Sequence, residues 1–193
     1  MPVAGLVPFN RNLGLEVDEK QYRSILVGGG ARSGKSRYAQ QRAEALPGPR
    51  AYLATAQAFD REMELRIARH QAERGPEWAA TIEEPLDPGV ALAEAGGRFE
   101  TVLVDCVTLW LSNLMGRGDD DEAILAAVAE LGRSFSRTAA NVVIVTNEVG
   151  LGLVPEHPLG RRFRDLAGFA NQELARACDE VFFTVWGLPQ RLK

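Results

Sequence analysis

The sequence predicts a single α/β domain with a mostly parallel central sheet and helices on both faces, and two observations carry that prediction. Short apolar runs alternate with helix-length segments along most of the chain. A glycine-rich loop then joins the first apolar run to the first helix, at the carboxyl end of a strand, where open parallel sheets bind ligands. Size permits such a domain: 193 residues, 46% hydrophobic and 25% charged, suffice for a substantial core.

The elements follow in order. Residues 1–22, with Gly5, Pro8 and Gly14, show no sustained period and are expected to form an extension preceding a domain over 23–193. Ser-Ile-Leu-Val at 24–27 is the first strand, and the helix over 35–46 is closed by Pro47 and Gly48. A strand at 50–54 precedes a helix over 60–74, with Asp60 as N-cap and Gly75-Pro76 as stop. Thr-Val-Leu-Val-Asp at 101–105 is the third strand. Next come a helix over 108–115, an acidic turn over 116–121 and a longer helix over 122–140, softly interrupted at Gly132. A strand at 141–146, a helix over 159–178 and a strand at 180–185 bring the set to five strands.

Composition removes several function classes. A net charge of −4 argues against broad electrostatic attachment to nucleic acid. No apolar run approaches the roughly 20 residues of a membrane span, so none is expected. The first 23 residues lack the basic start and apolar stretch of a secretory signal, which gives a cytoplasmic expectation. Cys106 and Cys178 are the only cysteines and lie far apart. They read as reduced thiols in or near the core rather than a disulfide or metal framework.

The loop Gly29, Gly30, Ala31, Arg32, Ser33, Gly34, Lys35 and Ser36 is a complete G-x-x-x-x-G-K-S sequence. Its glycines allow successive backbone N–H groups to converge on phosphate oxygens at a helix N-terminus. Lys35 would meet the β and γ phosphates, and Ser36 would offer its hydroxyl to Mg²⁺. Arg32 adds positive charge. The fold expected is therefore a P-loop NTPase fold of the RecA-like kind. Asp105 closes the apolar run before it, where such enzymes place a carboxylate that holds Mg²⁺ directly or through water. Taken alone, an aspartate there also suits a turn or a helix cap.

His70 lies four residues after Arg66 and four before Arg74, so on the expected helix all three can share one face, which could also be simply a solvated one. A neutral imidazole is a competent nitrogen nucleophile, and the guanidinium groups could hold a triphosphate in line with it. Met63 and Ile67 fall on the same side, which equally suits a half-buried, hydrogen-bonded histidine. His157, between Glu156 and Pro158, reads as a surface loop residue.

Taken together the motifs resemble the bifunctional adenosylcobinamide kinase and adenosylcobinamide-phosphate guanylyltransferase family of cobalamin biosynthesis. The carriers are GGARSGKSRYA from Gly29, YLATAQ from Tyr52, REMELRIARH ending at His70, VDCVTLWLSNLM from Val104, TNEVGLGLVP from Thr146 and RRFRDLAGFANQELA from Arg161. They span nearly the whole chain after residue 23. The resemblance implies phosphorylation of adenosylcobinamide by ATP or GTP, then transfer of GMP from GTP to give adenosylcobinamide-GDP. It implies His70, in Arg66-Ile67-Ala68-Arg69-His70, as the carrier of GMP. Nucleotide contacts are implied for residues 29–36 with Lys35 catalytic, for Thr55, Ala56 and Gln57, for Gln71, Ala72, Glu73 and Arg74, and for Glu83 and Asp105. Mg²⁺ would sit on Ser36 and Asp105. A homo-oligomer is implied, a trimer with active sites near subunit boundaries.

Some positions depart from the family pattern or stay open. One extra residue after Trp78 makes Glu83 the preferred match over Glu84, and residues 71–73 fit loosely. Glu148 and residues 161–165 suit either a corrinoid site or ordinary capping and pairing. Trp110, Leu111, Leu114 and Met115 suit core packing better than a subunit contact. No residue is assigned as kinase base. Two other functions remain: a P-loop small-molecule kinase without guanylyl transfer, separated from the leading reading by His70, and a nucleotide-gated binding module.

Overall fold

The computed structural model describes residues 22–58, 61, 63–65, 68 and 75–193. Seven strands form one sheet: β1 Ser24–Gly29, β2 Arg50–Ala54, β3 Trp78–Glu83, β4 Thr101–Asp105, β5 Asn141–Val145, β6 Glu180–Val185 and β7 Leu188–Arg191. Their spatial order is β3-β2-β4-β5-β1-β6-β7. The first six are parallel, and β7 pairs antiparallel with β6. The helices are α1 Lys35–Glu44, α2 Pro88–Ala95, α3 Val107–Arg117, α4 Asp121–Ser134 and α5 Pro158–Ala177. The mostly parallel α/β architecture with helices on both faces is as expected. No helix among the described residues is long and apolar enough to cross a membrane.

Strands covered on both faces need apolar side chains at every position, which is why β1, β4 and β5 read as continuous runs. Leu26, Val102, Val104, Val142 and Ile144 point into a cluster with Leu92, Leu111, Leu114, Ile124, Leu131 and Leu174 of α2–α5. Their neighbours Ile25, Val27, Leu103, Val143 and Val145 pack on the other face against Ala39 and Ala43 of α1. Trp110, Leu111 and Leu114 are buried in the first cluster, and Met115 packs against it.

Three elements are additional to the expected set, and each has a physical reason. β3 is an edge strand whose residues alternate between half-buried and exposed, so its Trp78-Ala79-Ala80-Thr81-Ile82-Glu83 shows no apolar run. β7 is exposed at every position and contains Pro189, a residue tolerated only at a sheet edge or bulge. α2 has weak amphipathicity, but Pro88 at its first turn and Gly96 after its end were usable boundary signals.

Other boundaries shift. α3 runs to Arg117 because Gly118, at φ 100, closes it in a left-handed cap with N–H bonds to Leu114 O and Met115 O. The helix expected over 122–140 ends at Ser134. Ser134 and Ser136 hydroxyls donate back to Leu131 O and Arg133 O, and Thr138 donates to Leu92 O, local bonds that compete with helix continuation. Gly132 lies inside this helix rather than interrupting it. A Cβ there would stand 3.2 Å from Ala177 Cβ, so the glycine allows α4 and α5 to approach. In the helix expected over 60–74, Arg61, Met63, Glu64, Leu65 and Ala68 are helical. Asp60, Arg66, Ile67, Arg69, His70, Gln71, Ala72, Glu73 and Arg74 lie outside the described residues, as do residues 1–21.

Candidate nucleotide site

Parallel pairing brings the strand ends to one edge. Ala54 is level with Asp105 and with Glu83, Asp105 with Val145, and Gly29 with Thr184. The loop 29–36 leaves β1 at this edge and enters α1 at Lys35. Close backbone approach explains its glycines. A Cβ on Gly29 would fall 2.4 Å from Thr184 Oγ1 and 2.7 Å from Thr184 O. Gly34 has φ 91, and a Cβ there would lie 3.0 Å from Gly187 Cα, so both conformation and space select glycine. Ser33 Oγ and Thr184 Oγ1 are hydrogen-bonded at 2.9 Å, and Thr184 donates to Gly28 O at 3.1 Å.

Lys35 is buried, and its ammonium donates to Gly30 O at 3.1 Å, folding across the concave side of its own loop. Arg32 is exposed at φ 55 and Ser36 is half-buried at the start of α1. The loop thus gathers an ammonium, a hydroxyl and a helix N-terminus around one concavity, a combination suited to phosphate.

The opposite wall is β4 and the start of α3. Tyr52 donates its phenol to Asp105 Oδ2 at 2.8 Å, which fixes the carboxylate's orientation. Thr55 is fully buried and spends each polar group on this wall. Its N–H donates to Asp105 O, its hydroxyl donates to Cys106 O and accepts from Cys106 N–H, both at 2.8 Å, and its carbonyl accepts from Asn113. Thr55 therefore braces the strand end that carries Asp105. Asn147 donates to Thr108 at 2.7 Å, and Asn171 links Thr146 to Asn147 O. Tyr52, Asn113 and Asn171 were not singled out from sequence. All three lay inside quoted motifs, but only pairing in space shows what they hold.

Burial pushes the Cys106 thiol up to about 11; the Asp105 charge adds to this, while the Thr108 hydrogen bond and the Lys35 charge oppose it. Cys106 and Cys178 are both buried thiols, as expected.

The remaining site candidates divide by geometry. Ala56 and Gln57 are half-buried just beyond β2. Glu83 is exposed at the end of β3, whereas Glu84 accepts from Leu86 N–H and Asp87 N–H at 2.9 Å each. Glu148 N–H donates to Gly29 O at 3.0 Å, and its carboxylate accepts from Gly150 N–H. Arg161 holds Pro155 O and Glu156 O, Arg162 pairs with Asp121, and Arg164 donates to Gly150 O. The Arg161 and Arg164 bonds hold the loop before α5, while the Arg162–Asp121 pair ties α5 to the start of α4. His157 caps that helix, accepting from Leu159 N–H at 3.2 Å.

A phosphate-shaped loop at the carboxyl edge of a parallel sheet, with an aspartate at the end of the strand next but one, defines a P-loop nucleotide-binding protein. Residues 25–192 match the cobinamide kinase / cobinamide phosphate guanyltransferase family, and the chain belongs to it. It is 44% identical over 174 residues to the bifunctional adenosylcobalamin biosynthesis protein CobP of Pseudomonas aeruginosa, across 87% of this chain and 96% of that one. It is 42% identical over 184 residues to the bifunctional adenosylcobalamin biosynthesis protein CobU of Escherichia coli K12, across 88% and 99%.

Proposed function

We propose that the chain carries out both family reactions, phosphorylating adenosylcobinamide with ATP or GTP and then transferring GMP from GTP to give adenosylcobinamide-GDP. The observation that carries this reading is the loop 29–36 folded around Lys35, at the sheet edge where Asp105 ends β4 level with Ala54 and Val145, in a member of this family. In the first reaction the substrate hydroxyl oxygen bonds to the γ phosphorus, the nucleoside diphosphate leaves, and the hydroxyl proton passes to solvent or a base. Lys35 and the loop N–H groups balance charge on the β and γ phosphates. In the second, a ring nitrogen of His70 bonds to the α phosphorus and pyrophosphate leaves. A phosphate oxygen of the first product then displaces His70, breaking the N–P bond.

The donors suit Mg²⁺, a hard cation that takes oxygen ligands and relies on substrate phosphates for several of them. Ser36 hydroxyl and Asp105, its orientation set by Tyr52, would hold it. Bound there, it would neutralise charge on the phosphates. The geometry favours Glu83 over Glu84 for nucleotide contact, because Glu84 already closes the turn into α2. The Thr55 contribution would be indirect, through its brace on β4, with direct contacts left to Ala56 and Gln57 and, in the residues that follow His70, to Gln71, Ala72, Glu73 and Arg74. Exposed Leu151, Leu153, Val154 and Phe169 support a homo-oligomer, with a trimer the form implied by the family resemblance. Two buried thiols support a cytoplasmic location.

Incubation with GTP labelled at the α phosphate tests the central step. Acid-labile, alkali-stable label is expected on wild type and absent from His70→Ala. Label retained by His70→Ala would remove His70 from the mechanism.

A further inference from the structure

The β6–β7 hairpin turns directly against the phosphate loop. Gly187 N–H donates to the Ser33 carbonyl at 2.8 Å, and Gly34 approaches Gly187 so closely that an added Cβ would stand 3.0 Å from its Cα. Trp186, the other residue of this two-residue turn, is thereby held beside the phosphate cradle. Its φ is 52 and that of Gly187 is 81, the positive pair that a tight hairpin requires and that asparagine and glycine fill most readily. A tryptophan tolerates this conformation poorly. It is also 92% exposed, whereas Trp110 is 2% exposed in the core. Such an indole leaves a large apolar surface in water without adding to the core of the chain.

We propose that Trp186 is the platform on which the purine base of the nucleotide stacks when its phosphates occupy the loop. This rests on the phosphate-cradle reading of residues 29–36. A nucleoside leads away from the cradle, and the hairpin tip is a wall of that exit built on the loop itself. An exposed aromatic face held there offers stacking to any base, because every base has a π face. It reads no base edge. Adenine and guanine are therefore held alike, which suits one cradle accepting both ATP and GTP.

The test compares ligands with and without a base, using the full chain and calorimetric titration. Trp186→Ala is expected to weaken GTP and ATP about ten-fold or more, the scale of one base–aromatic stack, and to leave inorganic tripolyphosphate unchanged. Trp186→Phe, which keeps a ring, is expected to stay within roughly three-fold of wild type for all three ligands. Unchanged GTP affinity in Trp186→Ala overturns the proposal. So does an equal loss for tripolyphosphate, which would make the residue a shaper of the loop, or a change of oligomeric state with unaltered nucleotide affinity, which would make it a subunit contact. A wild type that binds GTP no better than tripolyphosphate removes the base platform and leaves the phosphate reading intact; one that binds neither removes both.

Discussion

The two walls of the nucleotide site are held by different means. On the β1–β6 wall, backbones approach so closely that Gly29 and Gly34 have no room for a side chain without displacing Thr184 or Gly187. On the β4 wall, side-chain hydrogen bonds do the holding: Tyr52 bonds to Asp105, Thr55 to Cys106, and Asn113 to the Thr55 carbonyl. A wall made of close backbones is intolerant of any added atom, whereas a wall made of side-chain bonds fails when a partner is removed. The distinction suits the roles proposed for them. A cradle of N–H groups for phosphate would need fixed backbone geometry, while a carboxylate that is to hold Mg²⁺ would need a fixed orientation.

The largest break is expected at Gly29. Gly29→Ala places a methyl 2.7 Å from the Thr184 carbonyl, and backbone cannot yield as a flexible side chain would. The expected cost is about 2–3 kcal/mol, or roughly 5–10 °C in Tm, together with loss of adenosylcobinamide phosphorylation. Thermal melting at wild-type values with full kinase turnover would show that the β1–β6 wall has slack.

Thr55→Val tests the other wall with a change of nearly equal volume. It leaves the buried Cys106 N–H without its acceptor, an expected cost of about 1–2 kcal/mol. The Mg²⁺ concentration needed for half-maximal kinase activity should rise as Asp105 loosens. A variant that melts earlier yet keeps its Mg²⁺ dependence would separate the brace from the metal site.

The smallest effect concerns pH. The Cys106 thiol has an ordinary value of 9.0 and is pushed up to about 11 by burial, so the folded chain keeps this proton longer than the unfolded one. Its contribution to stability is complete below pH 9 and is lost as pH rises from about 9 through about 11. Denaturant melts of wild type and Cys106→Ala across this range should converge as pH rises. Parallel curves would mean that Cys106 ionises as readily in the folded chain as in the unfolded one.

Legibility in sequence followed burial. β1, β4 and β5 carry uninterrupted apolar residues because both faces are covered, and their positions were readable residue by residue. β3 and β7 lie at the edges, where the partner strand supplies the structure and the sequence carries little apolar signal. The phosphate loop was readable because its residue types are dictated by local backbone geometry. The supports of Asp105 were not, since Tyr52 and Thr55 meet it only after β2 pairs with β4, and Asn113 reaches the Thr55 carbonyl only once α3 has packed.

The sequence by itself determined the class of fold, the phosphate loop, Asp105 at a strand end and the resemblance to a bifunctional corrinoid enzyme family. Each depends on local pattern: apolar periodicity, glycine at crowded backbone, and motifs in a set order. Only the tertiary structure decided that Thr55 is a brace, that Glu84 is occupied in a turn while Glu83 is exposed, and that Trp186 stands beside the cradle. Those facts depend on contacts between residues as far apart as Ser33 and Gly187, and distance along the chain says nothing of closeness in space until the strands have paired.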